Sequence, residues 1–137
     1  MERDYIMRHV EQLGKVMARI VEAFLGLKSN IQVFQGIEVA NQQMKDELDI
    51  DIDYLLELDK ASLKAYLLER NISATNFETL SDYLKAVGEH KLSTDQQATE
   101  VYFTQAITLL ELAEEVSSTY SFAWIDKKAA LEKLLHH

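Results

Sequence analysis

The stretch Glu47–Asp59, ELDIDIDYLLELD, concentrates the residue types that could do chemistry. Asp49, Asp51 and Asp53 stand at alternate positions, the way a calcium loop presents its oxygens. A loop starting at Asp49 needs a sharp turn at its sixth position and a bidentate carboxylate at its twelfth. Those positions hold Tyr54 and Lys60, so the segment is not an EF-hand. The acidic–apolar alternation also resembles a strand, but a lone strand has nothing to pair with. What remains is a connection in which Ile50 and Ile52 turn into the core and the aspartates stay in water. Asp51 or Asp53 then caps the turn YLLEL, where a carboxylate suits the positive helix start. Weak, non-specific cation binding at the three aspartates is the alternative.

The four histidines are His9, His90, His136 and His137. A di-metal bundle places Glu three residues before His on two helices. The positions three before these histidines hold Ile6, Val87, Lys133 and Leu134, so that motif is absent. There is no cysteine, which removes thiolate metal sites, disulfides and cysteine nucleophiles. P-loop, dinucleotide-binding and nucleophile-elbow motifs are missing as well. Glu111, Glu114 and Glu115 cluster in the second half of a long helical segment, as a solvated face or as an acidic groove for a basic peptide. We expect no metal, no cofactor and no catalytic residues. The competing reading is an enzyme or small-molecule carrier whose polar groups converge from separate helices. Tyr5, His9 and the glutamates of that long segment are its only cast.

The elements positioning these residues read as helices. Apolar residues recur at helical spacing from residue 3 to 25: Ile6, Val10, Leu13, Met17, Ile20 and Phe24. A second stripe of Met7, Gly14, Ala18, Val21 and Leu25 lies beside it, with Tyr5, His9 and Val16 on the other flank. That apolar sector is wider than one packing face needs. The helix is therefore central to the fold or faces a second copy of the chain, with Tyr5, Met7, His9, Gly14, Ala18, Val21 and Leu25 as the possible interface. Glu11–Lys15 and Arg19–Glu22 have the spacing of ion pairs along it. Ser29-x-x-Gln32 reads as a capping box opening residues 30–48, and Asp59 caps residues 60–70, which bury Leu63, Leu67 and Leu68 and stop at Asn71. Thr75-x-x-Glu78 opens a helix burying Phe77, Leu80, Leu84 and Val87 and ending at Gly88. Ser93-x-x-Gln96 opens one running to about Val116 with Val101, Tyr102, Ala106, Leu109, Leu110 and Ala113, and Ser121 caps the last. The fold class is all-α, a single domain over 1–137 with about six helices in antiparallel hairpins, arranged as a tetratricopeptide-like array or an irregular bundle.

No proline and only four glycines argue against a turn-rich β architecture. The net charge is −9, and it is uneven. Residues 1–28 carry five basic and four acidic residues, net +1, so the rest carries −10. An acidic surface disfavours nucleic acid and anionic membranes as partners. No apolar run reaches the ~18 residues of a membrane span, and the charged N-terminus does not read as a signal peptide. The expected compartment is the cytoplasm.

The opening MERDYIMRHVEQLGKVMARI, the following LGL and the acidic IDIDYLLEL resemble an uncharacterised family of small bacterial all-helical proteins. That resemblance implies an all-α fold and carries over no catalytic residue. ATEVYFTQAITLLELAEE also resembles the second helix of a tetratricopeptide repeat, with Ala98, Tyr102 or Phe103, and Ala106 near its small–aromatic–small positions. It implies stacked helical hairpins. The function expected from all this is a non-enzymatic module for self-association or protein interaction, with a homodimer as one form.

Overall fold

A computed structural model describes residues 2–136, and over them it is all-α, seven helices joined by short connections with no strand. They are α1 (Glu2–Leu25), α2 (Asn30–Leu48), α3 (Ile52–Leu55), α4 (Lys60–Glu69), α5 (Ala74–Lys91), α6 (Gln96–Ser117) and α7 (Phe122–Leu135). His137 lies outside the described residues.

Local sequence explains most of the boundaries. Ser29 and Gln32 close a reciprocal capping box on α2. Asp59 caps α4, with its side chain accepting from the Ser62 amide at 2.8 Å, and Ser121 caps α7. Asn71 ends the turn after α4 at φ 61°, a left-handed conformation Asn tolerates.

Two caps and one terminus differ from the sequence expectation. Ser73, not Thr75, stands at the N-cap of α5, and its hydroxyl donates to Asn76 Oδ1 at 2.8 Å. Asp95, not Ser93, caps α6 by accepting from the Ala98 amide. In each case two capping residue types stand two apart in the sequence. Gly88 does not end α5, which continues to Lys91. A Cβ there would stand 2.7 Å from Phe103 Cε1, so this glycine serves close approach between helices.

Paired contacts fix the topology. Ser81 donates to the Ala106 carbonyl and Thr99 to the Gly88 carbonyl, so α5 and α6 run antiparallel in constant register. Lys60 and Lys64 reach Glu111 and Glu115, which sets α4 parallel to α6. Asn76 Nδ2 donates to the Gly14 carbonyl while Tyr83 meets Phe24 edge-on, so α1 and α5 are parallel. The α1–α2 hairpin is antiparallel, with Arg19 2.6 Å from Glu47 rather than paired with Glu22.

The central helix is α5, not α1. It packs on α1, α2 and α6 and is clamped by Lys127 of α7. Phe77, Leu80, Tyr83, Leu84 and Val87 are all fully buried. Among the described side chains of α1, those buried are Met17, Ile20, Val21 and Phe24. Leu68 and Val101, expected inward, face solvent; Tyr66 and Gln105 take interior places instead.

Candidate functional site

The opening acidic segment resolves as a joint. α2 ends at Asp49 in the left-handed region, Ile50 and Ile52 are buried, and Asp51 caps α3 by accepting from the Tyr54 amide. The Asp51 amide donates to the Tyr66 hydroxyl at 2.9 Å, and Arg70 Nε donates to the Asp49 carbonyl at 2.5 Å while its guanidinium stacks on Tyr66. The joint is held from α4 through backbone groups. Asp51 and Asp53 line an open cleft of about 730 Å³ with Glu38 and Lys45. Among the described residues, no group of three or more His, Asp or Glu side chains is placed to hold a metal ion.

Interior polar groups serve the framework. The Tyr83 hydroxyl donates to Asn41 Oδ1 at 2.6 Å, and burial pushes its pKa up, with the charges of Tyr102 and Asp53 adding to the effect. Gln105 Nε2 donates to the Leu55 and Leu58 carbonyls at 2.7 and 3.0 Å, tying α6 to the turn after α3. Each buried polar side-chain atom among the described residues has a partner.

The glutamates of α6 are engaged too. Glu111 meets Lys128 at 2.8 Å and Lys60 at 3.7 Å, and Glu115 meets Lys64 at 2.8 Å. Hydrogen bonding to Lys64 lowers the Glu115 pKa. Lys127 reaches both Glu78 and Asp82 of α5 at 3.0 Å. Burial works against its charge, but those hydrogen bonds outweigh it and its pKa rises. The sequence signal for this clamp was the Glu78–Asp82 pair one helical turn apart, together with Lys127–Lys128. Neither forms a recognised motif.

What lacks a counterpart lies on the α1–α2 hairpin. Asn76 of α5 meets α1 at Gly14, and Glu47 near the end of α2 meets it at Arg19. The turns before about Gln12 project past both, an overhang of roughly 15 Å at 1.5 Å per residue. Apolar side chains continue along it beyond half-buried Val10 and stand in solvent: Tyr5 is 74%, Ile6 55% and Met7 57% exposed. At the other end of the hairpin, around the turn after α1, Leu25, Ile31 and Phe34 are exposed as well. Helix α2 between Asn30 and Gln43 has one charged residue, Glu38. A groove of about 290 Å³ between α1 and α2 is lined by Ala23, Leu27, Gln35 and Val39.

The seven interface candidates on α1 therefore divide. Val21 is buried in the monomer core, Gly14 lies against Asn76, and Ala18 is half-buried. Tyr5, Met7, His9 and Leu25 are exposed. Ile6, assigned to the main apolar stripe by periodicity, joins the exposed group, as does Phe34 of α2. Among the described residues no helix is long and apolar enough to cross a membrane.

Fold and site together define an all-α protein with an apolar helical overhang. No protein-family model, curated protein or solved structure matches the chain.

Proposed function

We propose that the protein is a non-enzymatic helical association module whose first partner is a second copy of itself. The observation carrying this reading is the overhang of α1, whose Tyr5, Ile6 and Met7 are apolar and exposed where the helix has outrun its own fold. Contiguous exposed apolar surface of this kind marks an interaction site. The second patch, Leu25, Ile31 and Phe34, lies at the opposite end of the same hairpin, roughly 28 Å from Ile6 along α1. A two-fold axis across the hairpin lays each overhang on the other copy's Leu25–Phe34 end, so one pair of patches closes into a symmetric dimer. Charge supports a self-interface here. The chain carries −9, but residues 1–28 are net +1 and the first fourteen residues of α2 hold one charge, so the acidic bodies stay apart.

The tetratricopeptide-type likeness enters the same reading, with the α5–α6 hairpin as the scaffold that presents α1–α2. The larger concavities are open clefts, and no observation favours a small-molecule site over this face.

Sedimentation equilibrium tests the reading. The chain should be dimeric at tens of micromolar, and Ile6→Glu or Phe34→Glu should each give a folded monomer. A wild-type monomer throughout that range removes self-association.

A further inference from the structure

Helix α7 and the surface it covers lie apart from the α1–α2 face. Helix α7 is attached unlike any other long helix. Of its residues only Leu131 is fully buried, with Trp124, Leu134 and Leu135 packed partly against the core, whereas α5 and α6 each bury many. Its remaining attachments are ionic: Lys127 to Glu78 and Asp82, and Lys128 to Glu111. These pairs are partly exposed, with side-chain accessibilities of 24–39%, so salt reaches and weakens them. The chain enters α7 through Ser118, in the left-handed region, and past Tyr120 and Phe122, two side chains almost wholly in solvent. Few buried contacts and accessible ion pairs are the marks of a unit that opens below the global unfolding free energy.

The surface α7 covers has a defined chemistry. Glu78 and Asp82 stand one helical turn apart on α5, like charges that repel unless a cation bridges them. Lys127 is that cation. Glu111 takes Lys128, and Leu131 is buried as part of the hydrophobic core.

We propose that α7 is a releasable strap, opening while α1–α6 stay folded, and that the groove it vacates takes an amphipathic helix of the same chemistry in trans: two adjacent lysines followed by a leucine three residues on. The strap is then an internal ligand that keeps the groove closed until a partner helix competes for it.

Two measurements test this. In hydrogen exchange on the full chain, amides of α7 should exchange at least about ten-fold faster than those of α5 and α6, and faster still in molar salt. Binding is then read with a labelled synthetic peptide of residues 120–136. The full-length Lys127→Glu, Lys128→Glu variant, whose own strap is repelled, should capture it about ten-fold tighter than the wild-type chain. A peptide carrying both charge reversals should not bind. Equal protection of α7 and α5 overturns the strap, even if the variant fails to fold. Equal capture by variant and wild type, or none by a variant whose circular dichroism is native, overturns the groove.

Discussion

Replacing Gly88 by alanine isolates the contact on which the α5–α6 hairpin is built. The new Cβ would stand 2.7 and 2.9 Å from two Phe103 ring carbons and 3.1 Å from Tyr102 Cβ. Phe103 is 1% exposed and has little room to withdraw. Alanine in a helix interior gains about 1 kcal/mol over glycine, while forcing a methyl into a packed core costs about 1–3 kcal/mol. The net expectation is a loss of about 1 kcal/mol. For 137 residues, with an unfolding entropy of about 2.1 cal/mol/K per residue, that lowers Tm by roughly 3–4 °C. Phe103→Leu should destabilise alone by a similar amount, yet relieve the clash when combined. Urea melts of the wild type, both single variants and the double variant give the coupling energy, which should be about 1 kcal/mol in the compensating direction. Additive losses, or a single Gly88→Ala variant more stable than wild type, would refute the close approach.

Two further expectations concern the framework. Gln105→Leu keeps the volume but strips two donors from the Leu55 and Leu58 carbonyls, which should cost about 2 kcal/mol in chemical denaturation; a neutral result would mean those carbonyls find water. Stability should fall in alkali. An unfolded tyrosine ionises near pH 10, whereas folded Tyr83 and Tyr102 hold their protons higher, chiefly because burial disfavours the anion. Lys127 and Lys128, their pKa values raised in the fold, act in the same sense. The unfolded chain therefore binds fewer protons above about pH 10, and stability declines as pH rises through that range. Melting temperatures recorded from about pH 7 to 11 should be flat to about 9 and then drop; a rise above pH 10 would contradict the assignment.

The elements legible in the sequence were those specified by neighbours along the chain. The Ser29 capping box, the Asp59 cap, the left-handed Asn71 and the burial of Ile50 and Ile52 each depend on residues within a few positions, and each is found. Where two cap-forming types stood two residues apart, as at Ser73 and Thr75 or Ser93 and Asp95, local chemistry did not choose between them. Gly88 looked like a terminator because its reason for being glycine, the ring of Phe103, is fifteen residues away. The same limit hid the centrality of α5 and the mismatch in length between α1 and its neighbours. Periodicity marks Ile6 and Met17 as equivalent, but one is exposed and the other buried, because the partners of α1 stop short. The wide apolar sector was real, and its buried half belongs to the monomer. The clamp from Lys127 to Glu78 and Asp82 was invisible because forty-five or more positions separate its members.

Mixing the two interface variants tests the reciprocal dimer most directly. Ile6→Glu spoils the overhang and Phe34→Glu the patch that receives it. In a two-fold assembly each heterodimer keeps one intact contact, from the Phe34→Glu overhang to the Ile6→Glu receiving end. Fluorescence transfer between separately labelled variants should therefore appear on mixing and be absent from either variant alone. No transfer in the mixture, from a wild type that does dimerise, would contradict the pairing of overhang with receiving end.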